Sequence, residues 1–536
     1  MPLTFRRVGG WALGGIEVLI LTALILATRC ANYQDVFVAG NVYFSDADCY
    51  ARMTRVRMCA QHPGLIVRHH DFENYPTGTT PHTTAPLDYL IVALSIFLGR
   101  FTSQPLDLAG ALISPLFALL AGWFLWWWSR RMKFRYRWIG LILYGLSPIL
   151  AHGTELGRPD HQSLLMLLIT IALCAEWSVG RESPRSWAII AGIAWGLAVW
   201  VSAYEPLVLL VLAVAFGCVQ TQRSAHASQT GAIAKVGPFS RDRRLGWIFF
   251  AAIIALALLI ERRVPFLTSS LSAEAFKNWS RTIGELRSVS PLAPIWFRWT
   301  GWLLIAVPVL VWWSYRKRTG PPIWVSGLLV ATYLLTVWQA RWAYFFVSIL
   351  VIALPALLEP IRSRFIPWAI FLVSIFPILR DWDEKLWPNE LELGRRMEQQ
   401  RENVDLRQLA ITLQSAETDP FLAVWWLSPA ICYWSQQPAV AGSSHESLAG
   451  ILESAQFFAA SDWPKARVIL ENRRVTWVIA YDAARTAESC ASILGEAPPQ
   501  HAVCYVLDRA PAQAPPFLAF AAQNSAGKLF RFANNR

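Results

Sequence analysis

What most constrains this chain is a succession of apolar runs. Several last roughly 15–20 residues, enough to cross a bilayer as a helix. They begin at Trp11 and recur to about residue 380. Of the 536 residues 55% are hydrophobic and only 16% are charged, where a soluble domain has about a quarter charged. The chain therefore reads as an α-helical polytopic membrane protein. The first run, Trp11 to Thr28, follows Arg6 and Arg7 and ends in "ATRC", a poor cleavage site. It reads as an uncleaved first span rather than a signal peptide.

The net charge of +12 would suit a nucleic-acid binder, but its placement argues against one. The excess gathers in short segments: Arg6/Arg7, "RRMKFRYR" (130–137), "RESPR" (181–185), 223–244, "RKR" (316–318) and "RSR" (362–364). That is the positive-inside pattern of cytoplasmic loops. With the N-terminus and every basic loop cytoplasmic, about 11 spans result. They lie near 11–28, 106–128, 138–152, 163–178, 186–202, 205–220, 245–262, 295–314, 321–338, 341–358 and 364–380. The short run Leu87 to Leu98 is left out as re-entrant or interfacial. The chain is expected in a cell membrane with its N-terminus in the cytoplasm.

This topology places four polar segments on the outer side: loops 29–105, 153–162 and 263–294, and the tail 381–536. The tail alternates short apolar and polar runs ("ARVILENRRVTWVIAYD", 466–482) and reads as a periplasmic or extracellular mixed α/β domain. The transmembrane domain is then 1–380. Segment 221–244 is the nearest thing to a linker. Among eight cysteines, Cys49/Cys59 and Cys490/Cys504 face an oxidising side, where disulfides can form. No cysteine spacing matches a zinc site.

Polar residues in the outer segments need a reason. Loop one carries Asp46 and Asp48 in "SDADCY"; loop two carries Glu155, Arg158, Asp160, His161 and Gln162 in "ELGRPDHQ". Loop three carries Glu285 in "TIGE". Asp160 could simply cap the following helix. Arg341 opens a span in "VWQARWAYFF" and could simply snorkel, but an ionisable residue at membrane depth defaults to a functional reading. Together, Asp48, Asp160 and Glu285 bring three carboxylates from three outer loops. Hard oxygen ligands of this kind suit Mg²⁺ or Mn²⁺. An Arg beside them suits a phosphate-bearing substrate, here a lipid-linked one.

At these residues the chain resembles the catalytic subunit of oligosaccharyltransferase, a GT-C-type membrane glycosyltransferase, in its bacterial and archaeal single-chain form. "SDADCY" resembles the family's first acidic motif and points to Asp48. "GRPDHQ" falls at the second acidic motif, "TIGE" matches the TIxE motif, and Arg341 resembles the Arg that contacts the lipid pyrophosphate. "VWWLSPAICYWSQQPAVAGSSHES" (424–447) resembles the region opened by the WWD motif, with Trp425 and Trp426 on the substrate side. The matches run in order along nearly the whole chain. The family usually has one further pair of spans, as if lost between 221 and 244.

The resemblance implies a metal-dependent, inverting transfer of a glycan from a polyprenyl-pyrophosphate carrier to an acceptor, with protein glycosylation foremost. The catalytic and metal-binding residues would be Asp48, Asp160 and Glu285, with His161 or Gln162 as a further ligand. Arg341, Trp425 and Trp426 would bind substrate. Three departures stand out. Gln162 replaces an acid. Leu427 replaces the Asp that bonds the Ser/Thr hydroxyl of the N-x-S/T acceptor. No DxxK-type motif follows "WVIAYD", since Asp462–Lys465 comes too early. A site that has lost that hydroxyl's partner loses its selection for it. Two alternatives stand beside this reading: a GT-C transferase using a polyprenyl-monophosphate sugar, and a non-catalytic binder of lipid-linked glycan. A transporter fits less well, because the charges avoid the midplane and no repeat is visible.

Overall fold

A computed structural model of the protein describes residues 3–180, 184–227, 237–263, 273–317 and 319–533. Segment 221–244 and loop 263–294 therefore lie partly outside the described residues, at 228–236 and 264–272.

Each expected span coincides with a helix or a broken pair. The unbroken ones are Leu3–Arg29, Pro105–Arg131, His161–Val179, Pro184–Val201, Tyr204–Ala227, Arg244–Glu261, Ile323–Trp338 and Ala343–Leu358. Among the described residues, six helices are long and apolar enough to cross a membrane. The number is eight if Pro294–Thr300 with Leu303–Arg316, bent by 68°, and Phe365–Ser374 with Phe376–Leu386, bent by 46°, each count once. Arg137–Leu146 and Ile323–Trp338 are apolar but shorter. Length and composition thus support six to eight crossings rather than the full eleven. Leu87–Leu98 lies in a short apolar helix, Ala85–Leu98.

Helix Ala343–Leu358 is buried along its whole length, as its unbroken apolar sequence requires. The span near 138–152 breaks between Arg137–Leu146 and Pro148–His152. Proline disfavours a helical residue before it, and Ser147 sits at ψ 119°. The break frees carbonyls that lipid could not satisfy. Arg29, fully buried, takes them: Nη2 donates to Tyr144 O at 2.8 Å and Nη1 to Gly145 O at 2.5 Å. Its Nε reaches Thr154 Oγ1 at 3.1 Å, tying loop two to the first helix.

Basic segments 181–185 and 223–244 lie together at their described residues, where Arg243 pairs with Glu176 and Arg185 with Asp242. Loops one, two and three and the tail are joined by contacts among them, Arg158 to Asp46 and Glu285 and the Ser443 amide to Glu73. The tail packs a four-stranded sheet in the order Phe421–Leu422, Trp477–Ala480, Lys528–Phe532, Leu518–Gln523; the first pair is parallel and the others antiparallel. Buried Phe421, Val478, Ile479, Leu529 and Phe530 form its core with helices Leu448–Ala459 and Ala483–Leu494. Residue 380, the expected domain boundary, falls inside helix Phe376–Leu386.

All eight cysteines are free thiols, so neither of the two possible disulfides forms. For Cys49 and Cys59 the reason is geometric. Both lie on helix Ala47–Gln61, whose rise puts them about 15 Å apart, beyond any disulfide's reach.

Candidate functional site

Two helix starts bring the acidic motifs together. Asp46 caps helix Ala47–Gln61, accepting from the Cys49 amide at 2.9 Å. Asp160 caps helix His161–Val179, accepting from the His161 amide at 2.6 Å. The simple capping reading of Asp160 is therefore correct, and its second oxygen remains for other work. Gly157 stitches the two segments: its carbonyl accepts from the Ser45 amide at 2.9 Å and the Ser45 hydroxyl at 3.2 Å. Gly157 has φ +75°, and a Cβ there would sit 2.7 Å from Val36 Cγ2, so only glycine fits.

Arg158 occupies the centre. Its Nη2 lies 3.2 Å from Asp46 and 3.4 Å from Glu285, and its Nη1 3.6 Å from Glu155 and 3.3 Å from His152 Nε2. Glu285 also accepts from the Tyr344 hydroxyl at 3.0 Å and faces Arg341 Nη2 at 3.8 Å. On its other side Arg341 Nε faces Glu205 Oε1 at 3.4 Å, and the Glu205 carboxylate is held by the Ser202 hydroxyl at 3.0 Å. Loop one, loop two, loop three and the helix begun by Arg341 thus share one site.

Asp48 stands in the first turn of helix Ala47–Gln61 and is open to solvent on one side. Enclosure by protein, then the charge of Asp46, pushes its carboxyl up to about 7, with Asp160 and Glu285 adding to the rise. Burial likewise raises Glu155 to about 7 against the pull of Arg158. At Asp160 the burial effect is outweighed by His161 and Arg158, which hold the carboxyl well below its usual range. The cluster therefore carries more carboxylates than cations, and it is all-oxygen in its acidic donors. By charge and donor type it fits a hard divalent cation. The oxygens of Asp48, Asp160 and Glu285 do not all lie within 4.8 Å of one another. Among the described residues, the one trio of His, Cys, Asp or Glu that meets this limit is His82, His445 and Glu446.

The other expected residues divide. His161 Nδ1 is 2.6 Å from Asp160 Oδ1. Gln162 is buried, and neither its amide oxygen nor its nitrogen makes a hydrogen bond. Trp425 and Trp426 sit at a seam between loop three and the tail. Trp425 donates to Ser489 Oγ at 3.1 Å and meets Trp279 edge-on, while Trp426 meets Tyr481. Leu427 is half-buried beside them.

Several residues of the site were missed from the sequence. Glu205 and Tyr344 are single polar groups at the starts of apolar helices; an acid at membrane depth was the available signal for Glu205. Glu73, buried in loop one, accepts from the Ser443 amide of the tail at 3.2 Å, and nothing in its local sequence announces that contact.

A separate cavity of about 1560 Å³ lies between helices Tyr204–Ala227, Leu303–Arg316 and Ile323–Trp338, and contains none of the acidic cluster. Its lining runs from Leu292 and Phe297 to Tyr315 and Arg223 and is mostly apolar.

No family model and no curated protein sequence matches the chain. Solved structures do. The archaeal oligosaccharyltransferase AglB from Archaeoglobus fulgidus, solved with an inhibitory peptide and a dolichol-phosphate, is 16% identical with a TM-score of 0.64. That match covers 98% of this chain and 74% of the archaeal one. An oligosaccharyltransferase of the same archaeon, solved with Zn and sulfate, matches at 15% identity and a TM-score of 0.63, covering 96% and 73%. ArnT from Cupriavidus metallidurans, solved with undecaprenyl phosphate, is 12% identical with a TM-score of 0.56 and 98% coverage of both chains. The neighbours are thus an oligosaccharyltransferase and another GT-C glycosyltransferase, and the chain shares their fold.

Proposed function

We propose that this protein is a membrane glycosyltransferase. It moves a glycan from a polyprenyl-pyrophosphate carrier to an acceptor on the outer face of the membrane, and protein is the foremost acceptor. The observation that carries this reading is the convergence of Asp48, Asp160 and Glu285 from three loops on one solvent-open site, with Arg341 tethered beside Glu285. The lipid phosphates bound by the fold neighbours support it.

In this reading Arg341 takes the carrier's phosphate oxygens bidentately. The apolar cavity between helices Tyr204–Ala227 and Ile323–Trp338 receives the isoprenoid tail. The acids of loops one and three accept hydrogens from the acceptor's nucleophile and orient it toward the anomeric carbon. The nucleophile's bond to that carbon forms as the carbon–oxygen bond to the carrier breaks, which inverts the anomeric centre. Mg²⁺ or Mn²⁺ would be held by Asp48, Asp160 and Glu285, with the unpartnered amide oxygen of Gln162 or the ring of His161 as a further donor. Bound there, the cation supplies charge neutralisation for the leaving phosphate. Arg158 keeps the acids apart and oriented.

The test is transfer of labelled glycan from lipid to acceptor by the purified chain. Activity should fall at least a hundredfold in Asp48→Ala and Glu285→Ala and with chelator, and return with Mn²⁺ or Mg²⁺. Full activity in both variants would sink the reading. Leu427 and the end-to-end match with ArnT favour a second reading, a transferase using a polyprenyl-monophosphate sugar. Turnover unaffected by chelator, with a monophosphate donor, would establish that one instead.

A further inference from the structure

Beside the acidic cluster lies a second, chemically different group. His82 belongs to loop one, just before helix Ala85–Leu98; His445 and Glu446 lie in the one-turn helix His445–Ser447 of the tail. The two segments are 364 residues apart in sequence, yet one ligand atom from each of the three residues lies within 4.8 Å of the others. The imidazole centroids of His82 and His445 are 5.0 Å apart. Glu446 Oε1 is 2.5 Å from His82 Nδ1 and 2.5 Å from the His82 amide. Glu446 Oε2 faces His445 Nδ1 at 3.4 Å.

A plain His–Glu–His clamp leaves part of this unexplained. The Glu446 side chain is only 8% exposed, and its Oε2 makes no hydrogen bond. His445 Nε2 is also buried without a partner. Burying a polar atom unpartnered is unfavourable, and such atoms call for an unseen ion or water. Two imidazoles and one carboxylate converging on one space are the donor set of Zn²⁺ and its neighbours, not of Mg²⁺. His82 is 40% exposed, which gives an ion a path in from solvent.

We infer that His82, His445 and Glu446 form a transition-metal site of the Zn²⁺ class, with an open fourth position for water, that fastens the tail domain to loop one. The surrounding contacts suit a fastening role. The tail strand around Ala439 exchanges backbone hydrogen bonds with Phe72 and Tyr75 of loop one. A Cβ on Gly442 would lie 2.6 Å from the Glu73 carboxyl, so the tail strap lies flush on the loop. Arg263 holds the carbonyls on either side of His82, those of Pro81 and Thr83, and fixes that ring's backbone. The site also adjoins the acidic cluster, since the His82 ring lies 6.4 Å from His161. It is separate from the oxygen-rich group proposed above, and either could fail without the other.

The experiment uses the full chain, purified in lipid nanodiscs, stripped of metal and titrated with Zn²⁺ in millimolar Mg²⁺. One Zn²⁺ should bind per chain and raise the unfolding midpoint. Co²⁺ in its place should give the visible absorption of a four-coordinate site with nitrogen donors. His445→Ala and the near-isosteric Glu446→Gln should each weaken Zn²⁺ binding at least tenfold, while Asp48→Asn leaves it unchanged. Folding of the variants is checked by their unfolding transition without metal. Unchanged Zn²⁺ binding in folded Glu446→Gln and His82→Ala overturns the inference, as does loss of Zn²⁺ binding in Asp48→Asn alone. Stabilisation of the metal-free chain by inorganic phosphate but not by Zn²⁺ overturns it too, in favour of an anion site.

Discussion

Arg341 lies between two carboxylates, and replacing it by Met separates its structural role from the phosphate-binding role proposed for it. Glu205 is 1% exposed and faces Arg341 Nε at 3.4 Å. Removing one member of a buried pair typically costs about 3–5 kcal/mol, because the other charge is stranded. Arg341 is itself 22% exposed, and Glu205 keeps the Ser202 hydroxyl at 3.0 Å. Arg341→Met should therefore cost about 3 kcal/mol, at the lower end of that range. Adding Glu205→Gln removes the stranded charge and keeps the bond to Ser202. The double variant should recover at least about 1 kcal/mol, the scale of coupling between residues in contact. Phosphate binding should not recover. A charge-assisted hydrogen bond contributes about 1.5–3 kcal/mol, so both variants should bind undecaprenyl phosphate roughly 10- to 150-fold more weakly. The assays are denaturant unfolding in mixed micelles and lipid-phosphate titration of the chain in nanodiscs. Wild-type stability in the single variant, or wild-type phosphate affinity in the double, would refute the reasoning.

Gly157→Ala places a Cβ against Val36 at φ +75°, and should cost about 1–3 kcal/mol while parting the two acidic segments. Transfer activity should fall with it, measured beside an unfolding curve. Burial raises the Glu73 carboxyl from 4.5 to about 7. Its proton is thus bound more tightly in the folded state, so this contribution to stability is present below pH 4.5 and is lost as pH rises through 7. Glu73→Gln should flatten that fall, worth roughly 2–3 kcal/mol, in unfolding curves taken from pH 4.5 to 8. Arg29→Met strands the Tyr144 carbonyl at the helix break, while the Gly145 carbonyl keeps the Thr28 hydroxyl at 2.9 Å, and should cost about 1–3 kcal/mol by the same unfolding measurement.

Much of the helical scaffold was legible because lipid leaves few options to a long apolar run. The breaks within it were less so. Ser147–Pro148 and the turn at Gly301 interrupt runs whose apolar character continues across them, so hydropathy reads through. That Asp48, Asp160 and Glu285 come near one another was legible because each stands in a short motif at a loop–helix boundary. Arg158 was visible as a polar oddity but not as the hub, since its partners Asp46 and Glu285 come from other loops. Trp425 and Trp426 stand in a motif that points to substrate, and that motif does not announce the contacts by which they join Trp279 of loop three to Ser489 and Tyr481 of the tail. The grouping of His82 with Glu446 leaves no local spacing at all, because only the fold closes so long a gap.

The helices that begin at Ala47, His161 and Ala343 all start at the acidic site. Each start carries about half a positive charge from its aligned peptide units. That field is part of the backbone, so it neither titrates nor leaves with a departing ion. The acidic group is thereby kept from becoming a simple well of negative charge. A phosphate-bearing ligand approaching it meets a partly compensated potential rather than open repulsion. Side-chain replacement can change the acids one at a time, while this background persists as long as the three helices keep their directions.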